Sequence, residues 1–280
     1  MFDRVLIAVD GSECATRAAS AGVKIAATYG SDVTAITAVN GGLDEADARR
    51  ALDAVVELGA DTGVPVESRL VAGHPVKAIV TVADEIDAAL IVMGRLGHTG
   101  VRDRFFGSVT QRVLRSTRRN VLTVPEGETP VDDFQTILLP TDRSTAATAG
   151  IPPAVDLATR YDAALHVLTL VDVRREAGPF SAGGVDTEYV DGLLATARDG
   201  LTEFVDDCRA RGGEDLVVEA AALKGVPSAG IVDYVTDHDI DLVVMASTGE
   251  SSLAGQLLGS VTERVLRTID RPVLVVHPTR

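Results

Sequence analysis

An internal repeat constrains the fold of this chain more than any other feature of its sequence. The segment GSVTQRVLRSTRRNVLTV, which begins at Gly107, matches GSVTERVLRTIDRPVLVV, which begins at Gly259, at most positions. Earlier segments match in the same order: RVLIAVDGS with TILLPTDRS, and DAALIVMGRLG with DIDLVVMASTG. Such self-similarity is typical of a tandem duplication. The 280 residues therefore divide into two domains of ordinary size.

The boundary between the domains is expected where the repeat is interrupted. The segment PEGETPVDDFQ is polar and contains proline, a composition typical of a linker. We predict a first domain at residues 1–126, a linker at 127–135 and a second domain at 136–280.

Each repeat alternates short apolar runs with alanine-rich or amphipathic segments. In the first repeat, RVLIAVD and AALIVMG predict buried strands. Between them, SECATRAASAGVKIAATYG predicts a helix that Ser12 caps and Gly30 ends. This alternation indicates an α/β fold, with two tandem doubly wound domains that each hold a five-stranded parallel sheet between helices. Ligands bind such sheets beyond the carboxyl ends of the strands, where Asp10 and Gly94 are expected to lie.

A loop rich in glycine and arginine follows the predicted strand AALIVMG. Its glycines include Gly94, Gly97 and Gly107, and Ser108 comes next, at the start of a predicted helix. A helix N-terminus presents N–H groups and a partial positive charge, and glycine lets an anion approach the backbone closely. The loop also contains three arginines, which favour an anion site: Arg95, Arg102 and Arg104. Alternatively, Ser108 caps its helix and the arginines are solvated.

Common nucleotide and catalytic motifs do not account for this loop. The sequence has no GxxxxGK[ST] motif, no GxGxxG after its first strand and no GxSxG. Its five histidines show no metal-ligand spacing, and Cys14 and Cys208 belong to no CxxC pattern. We therefore predict a reduced chain without a metal site.

The pattern that fits is glycine, two residues, glycine, nine residues, glycine and then serine or threonine. It stands between a strand and a helix, with VDGS after the first strand and GSVTQRVL and NVLTV behind the loop. In these features the chain resembles the universal stress protein family. The resemblance covers nearly the whole chain, once in each repeat, and the first repeat is similar to the ATP-binding branch. The resemblance implies a Rossmann-like fold, a role in stress response or regulation, and a bound adenine nucleotide. ATP is expected, or else AMP or ADP, and Mg²⁺ could bridge the phosphates.

The resemblance also implies which residues of the first repeat hold the nucleotide. Asp10 takes the ribose side, and the backbone of Val39 faces adenine. An Asx turn or a helix cap is the alternative role for Asp10. The other residues beside the adenosine are Ala8, Val9, Met93 and Gly94. The residues expected to cradle the phosphates are Gly97, Gly107, Ser108, Val109 and Thr110.

The second repeat departs from the pattern. Ala246 replaces the first glycine, Arg143 stands where the first repeat has Gly11, and the three loop arginines are missing. Residues 1–126 carry 14 basic and 16 acidic residues, a net charge of −2, while residues 127–280 carry 12 and 25, a net charge of −13. We therefore expect a competent first site and a weakened or altered second one. The second repeat keeps five residues at positions that match the predicted nucleotide site of the first: Asp142, Val171, Gly249, Gly259 and Ser260.

Three function classes stay open: a nucleotide-binding regulatory protein, a slow ATPase, and a scaffold that binds no nucleotide. ATP hydrolysis requires a base or orienting group and stabilisation of charge. The loop arginines could stabilise charge, but Asp10 is the only candidate base and its expected partner is ribose. We therefore assign no catalytic residue. The intact pattern of the first repeat counts against the scaffold, and the second repeat partly supports it.

Net charge and hydropathy exclude several classes of partner. The net charge is −15, with only three lysines, so a nucleic acid is an unfavourable partner. No apolar stretch approaches the ~20 residues of a membrane span, and the N-terminus does not have the composition of a signal peptide. These features predict an acidic cytoplasmic protein with no membrane contact.

The last strand of each repeat, NVLTV and PVLVV, predicts how the chain assembles. In the family's fold this strand lies at a sheet edge, where unpaired backbone groups favour pairing. The two strands could pair within one chain as a pseudo-dimer, and higher homo-oligomers stay open. The segment Glu176–Tyr189 has no counterpart in the first repeat. It is predicted to be a mobile loop, either a solvated insertion or a lid.

Overall fold

The computed structural model describes residues 1–39, 43–97, 107–127, 131, 133–176, 187–248 and 258–278. It contains two compact units. The first comprises Met1–Asp133 together with Asp270–His277, and the second is built on Phe134–Ile269. The segment Asp270–His277 therefore belongs to the first unit, although it lies in the second repeat.

The elements of the two repeats follow the same order. In the first repeat they are β1 (Arg4–Ala8), α1 (Glu13–Tyr29), β2 (Asp32–Val39), α2 (Glu45–Thr62), β3 (Val66–Ala72), α3 (Pro75–Glu85), β4 (Leu90–Gly94), α4 (Ser108–Ser116) and β5 (Asn120–Val124). In the second they are β6 (Thr136–Pro140), a 3₁₀ turn (Ala147–Gly150), α5 (Ile151–Tyr161), β7 (Ala164–Val171), α6 (Val173–Glu176), α7 (Thr187–Gly212), β8 (Val218–Lys224), α8 (Pro227–Asp237), β9 (Leu242–Ala246), α9 (Ser260–Thr268) and β10 (Val273–Val276).

The sheet of the first unit has the strand order β3-β2-β1-β4-β5-β10. Its first five strands are parallel, whereas β10 runs antiparallel to β5, with Val273 opposite Thr123 and Leu274 opposite Leu122. The sheet of the second unit has the order β9-β6-β7-β8 and is parallel. The α/β fold class is confirmed. The distribution of strands differs from five in each domain because β10, which is fully buried, covers the edge that β5 would otherwise leave open.

Local sequence signals account for the helix boundaries. Ser12 caps α1 by accepting the N–H of Ala15, and Gly30 ends the helix in the left-handed conformation. In the second repeat Pro152 and Pro153 occupy the matching helix. Proline lacks an N–H group and clashes with the carbonyl four residues earlier, so the helix begins only at Ile151, after a 3₁₀ turn.

The structure describes the predicted loop Glu176–Tyr189 only at its two ends. Glu176 ends α6, and Thr187 to Tyr189 form the start of α7, so the prediction is wrong at both ends. Residues 177–186 lie outside the described residues. Within the described part of the chain, none of the helices combines the length and the apolar character that crossing a bilayer requires.

Candidate functional site

Asp10 lies in the turn between β1 and α1, at the carboxyl edge of the sheet. Its Oδ1 atom accepts hydrogen bonds from the backbone N–H and the hydroxyl of Ser12, at 3.1 and 2.6 Å. The predicted Asx turn is therefore present. The second carboxylate oxygen faces the glycine loop, since a Cβ atom at Gly97 would lie 2.5 Å from Oδ2. Glycine at position 97 is what allows the loop to approach the carboxylate this closely.

The remaining residues predicted beside the adenosine lie at the ends of neighbouring strands. Ala8 pairs with Met93 across β1 and β4, and Val39 ends β2 on the other side of β1. The hydroxyl of Thr37 donates to the carbonyl of Val9 at 2.9 Å and fixes the backbone where β1 ends. Parallel pairing thus brings these four residues to one edge of the sheet.

Gly94 ends β4 in a position that leaves no room for a side chain. A Cβ atom there would lie 2.9 Å from the backbone nitrogen of Ala15 and from the carbonyl carbon of Cys14. Both of these atoms belong to the first turn of α1. The glycine therefore brings the end of β4 directly against the helix that follows Asp10, and so joins the two halves of the site.

The first turn of α4 follows the glycine loop. The N–H of Gly107 donates to the carbonyl of Arg95 at 3.0 Å, and the carbonyl of Gly107 accepts from Gln111 at 2.9 Å. The N–H groups of Ser108, Val109 and Thr110 precede this first hydrogen bond, at the end of the helix that attracts anions. Ser108 is exposed.

The hydroxyl of Thr110, a residue predicted to cradle the phosphates, is engaged in a hydrogen bond to the protein. The side chain is buried, and its Oγ1 atom donates to the carbonyl of Gly94 at 2.9 Å. The hydroxyl therefore joins α4 to β4, and what Thr110 directs toward the end of the helix is its backbone N–H group.

Arg95, immediately after Gly94, is buried rather than solvated. Its side chain is 5% exposed, and Nη2 donates to the carbonyl of Arg271 at 2.7 Å. Burial lowers the pKa of this guanidinium to about 10, so it stays charged at neutral pH. The alternative in which the loop arginines are solvated is therefore wrong for Arg95. Arg102 and Arg104 lie outside the described residues.

The second unit repeats the same framework. Asp142 accepts from the N–H and hydroxyl of Ser144 at 3.0 and 2.6 Å. The hydroxyl of Thr262 donates to the carbonyl of Ala246 at 3.0 Å. The N–H of Gly259 donates to the carbonyl of Ser247 at 2.6 Å, and α9 begins at Ser260. Val171 ends β7, while Gly249 lies outside the described residues.

Two substitutions change the second framework beside Asp142. Arg143 adopts a φ of 62°, in the left-handed region where the first unit has Gly11 at 80°. Its guanidinium donates to the carbonyl of Thr196 on α7 at 3.3 Å. The guanidinium of this residue and the methyl group of Ala246 have no counterpart at the matching positions of the first unit.

The universal stress protein family model matches residues 1–125 and again residues 133–277. The chain belongs to the universal stress protein family. A universal stress protein of Mycobacterium tuberculosis is 28% identical over 98% of this chain and 96% of its own length. One of Methanocaldococcus jannaschii is 32% identical over 51% of this chain and 82% of its own. The crystal structure of a universal stress protein from Archaeoglobus fulgidus has a TM-score of 0.70 at 20% identity, covering 98% and 95% of the two chains.

Sequence analysis of this universal stress protein missed the part that Cys14 takes in the site. Its Sγ atom donates to the carbonyl of Val124 at 3.0 Å and accepts the N–H of Leu96 at 3.5 Å. Burial raises the pKa of the thiol, which keeps it protonated as a donor. The thiol thus connects the start of the loop to the end of β5. An isolated cysteine in a helix gives no signal of such a contact.

Proposed function

We propose that the first unit of this universal stress protein binds an adenine nucleotide and that the protein acts as a nucleotide-dependent regulator in the cytoplasm. The observation that carries the proposal is the convergence of two features at one edge of the sheet. These are the start of α4 at Ser108, which attracts an anion, and the carboxylate of Asp10, which lies beside Gly97.

The proposed arrangement assigns one end of the site to each part of the nucleotide. The N–H groups at the start of α4 bind phosphate, because Gly97 and Gly107 let it reach the backbone. The Oδ2 atom of Asp10 accepts a ribose hydroxyl. The base lies at the carboxyl ends of the neighbouring strands, against Ala8, Val9, Val39 and Met93. ATP, ADP and AMP share this adenosine end and differ only at the phosphates.

A magnesium ion fits the proposal as part of the nucleotide. Within the described ranges, His, Cys, Asp and Glu side chains form no group of three able to hold a metal ion. Mg²⁺ bound with a nucleotide keeps several waters and takes oxygen ligands from the phosphates, so it does not require such a group. The carboxylate of Asp10 lies beside the loop, at Gly97.

We propose binding without efficient hydrolysis. Oδ1 of Asp10 accepts both hydrogen bonds of Ser12, and Oδ2 is assigned to ribose. We assign the guanidinium of Arg95 to the carbonyl of Arg271 rather than to a transferred phosphate. The second unit is proposed to bind more weakly, because it is strongly acidic and carries Ala246 and Arg143 beside the site.

Calorimetric titration of ATP with Mg²⁺ tests the proposal. The variants are Gly107→Val and, as the matched control in the other repeat, Gly259→Val. A Cβ atom at Gly107 would lie 2.8 Å from the carbonyl oxygen of Arg95, so valine blocks the phosphate cradle. We expect binding to be lost with Gly107→Val and kept with Gly259→Val. Equal losses in both variants would show that both units bind. If the wild-type protein, purified free of nucleotide, gives no heat, the nucleotide-binding proposal fails. The scaffold that binds no nucleotide is then the function class that remains.

A further inference from the structure

Arg95, which follows the first glycine of the loop, connects the site to the segment Asp270–His277. The backbone of Arg95 joins the two sides of the loop. Its N–H donates to the carbonyl of Val124 at 2.7 Å, and its carbonyl accepts the N–H of Gly107 at 3.0 Å. Gly107 is the N-cap of α4, so a movement at the start of α4 displaces the backbone of Arg95.

The side chain of Arg95 carries this connection to the segment Asp270–His277. The guanidinium is buried and donates to the carbonyl of Arg271, which is 176 residues away in sequence. Arg271 precedes β10 by two residues, and β10 pairs with β5. Asp270 lies close enough to stabilise the charge of the guanidinium. A buried charged donor that loses its acceptor is costly, so the side chain and the carbonyl are expected to move together.

The matching position in the second repeat does not make this connection. Ser247 is buried and its carbonyl accepts the N–H of Gly259 at 2.6 Å, so the backbone half of the arrangement is kept. A serine side chain is too short to span the distance that the guanidinium of Arg95 covers. The long connection is therefore a property of the first repeat, where the phosphate cradle is intact.

We propose that Arg95 couples occupancy of the phosphate cradle to the stability of the terminal segment Asp270–His277, so that a bound nucleotide holds β10 more firmly against β5. The inference rests on the nucleotide binding proposed above. Coupling between two sites is reciprocal, and factors of about 5 to 150 are typical. A firmly held β10 must therefore raise nucleotide affinity by the same factor by which the nucleotide stabilises β10. Arg95 acts as a positioning residue, since its guanidinium donates to the carbonyl of Arg271.

Hydrogen–deuterium exchange at Val273–Val276, measured on the full chain with and without ATP and Mg²⁺, tests the coupling. Exchange reports local opening of a segment. In the wild-type protein we expect ATP to slow exchange of these amides about tenfold, within the usual range of coupling. Arg95→Ser, which copies the second repeat, should abolish this protection and weaken ATP binding by a similar factor. Arg95→Lys keeps the positive charge but lacks the planar donors of the guanidinium. It replaces Arg95→Ser in this experiment if the serine variant does not fold.

Arg119→Ser is the matched control. Arg119 is another arginine of the first unit, but it is only half-buried and pairs with Asp84 and Asp87 near the other end of β4. It should lower stability and leave both the ATP affinity and the protection by ATP unchanged. ATP binding by the wild-type protein without slower exchange in β10 would overturn the inference and leave the proposed function standing. Equal loss of protection in the Arg95 and Arg119 variants would also overturn it. If calorimetry shows that the wild-type protein binds no ATP, the proposed function fails and this inference fails with it.

Discussion

The two repeats keep the same hydrogen-bonded framework and differ at two glycines of the first repeat that the second repeat replaces. In both, an aspartate accepts two hydrogen bonds from a serine, and a threonine joins a helix to the end of a strand. The first repeat has Gly94 where the second has Ala246, and Gly11 where the second has Arg143. The comparison shows that these hydrogen bonds persist without the two glycines, so each replacement requires a local explanation.

The helix that faces Gly94 explains how the second repeat accommodates an alanine. In the first repeat the backbone of Cys14 and Ala15 lies against Gly94 in a continuous α-helix. In the second, Pro152 and Pro153 delay the helix, and a 3₁₀ turn at Ala147–Gly150 takes the matching place. We infer that the prolines and Ala246 compensate for each other.

The largest expected difference between the repeats comes from exchanging these two residues. Gly94→Ala places a methyl group 2.9 Å from backbone atoms, and such overpacking typically costs about 1–3 kcal/mol. Ala246→Gly removes a methyl group that the second repeat accommodates, and should cost at most about 1 kcal/mol through the flexibility of glycine. Urea unfolding of both variants measures the difference. Equal costs would contradict the compensation between Ala246 and the prolines.

The ends of the repeats differ in their response to pH. His277, which stands where the first repeat has Pro125, is buried, and burial, aided by Arg118, lowers its pKa to about 4. The unfolded chain binds a proton near pH 6.5, whereas the folded chain does so only near pH 4. The contribution of His277 to the unfolding free energy is therefore fully present above pH 6.5 and falls as the pH drops toward 4. At pH 5 this contribution is lower by about 2 kcal/mol.

The variant His277→Asn tests this pH dependence. The variant should lack the loss of unfolding free energy that His277 causes between pH 7 and pH 5. The measurement is the difference in unfolding free energy between the variant and the wild-type protein at each pH. A wild-type slope in the variant would show that other groups account for the dependence.

Thr110→Val and Thr262→Val test whether the shared framework is equally stabilising in both repeats. Each substitution removes a hydroxyl that donates to a strand carbonyl, at 2.9 and 3.0 Å. Each should lower the unfolding free energy by about 1–2 kcal/mol, the usual cost of leaving a buried acceptor unsatisfied. Clearly unequal losses in urea or thermal unfolding would show that the two hydrogen bonds do not stabilise the two repeats equally.

The smallest expected effect concerns the turn after the aspartate. Arg143 has a φ of 62°, a conformation that costs a non-glycine residue about 1 kcal/mol or more. Arg143→Gly relieves this strain and loses a hydrogen bond at the surface, so stability should rise by up to about 1 kcal/mol. Gly11→Arg, at 80° in the first repeat, should lower it by a similar amount. Thermal unfolding measures both, and a stabilising Gly11→Arg would contradict the strain argument.

Much of the fold follows from the sequence because its determinants are local. The sequence predicts Ser12 and Gly30 at the two ends of α1, and both residues cap the helix through hydrogen bonds that span a few residues. Asp10 was predicted at a strand end beside the glycine loop, and it lies there with Gly97 against its carboxylate. The repeat itself indicated the order of strands and helices, because each copy encodes the same alternation.

Other features of the candidate site depend on contacts between distant parts of the chain, and the sequence pattern does not encode them. Gly94 needs its small size because the backbone at Cys14 and Ala15 comes to rest against it. Arg95 is identified as a loop arginine by sequence, but the folded chain directs its guanidinium to the carbonyl of Arg271. β10 completes the sheet of the first unit although it belongs to the second repeat. Local hydrogen bonds and hydrophobic periodicity determined the elements, whereas burial and close packing, which require the whole chain, decided which residues meet.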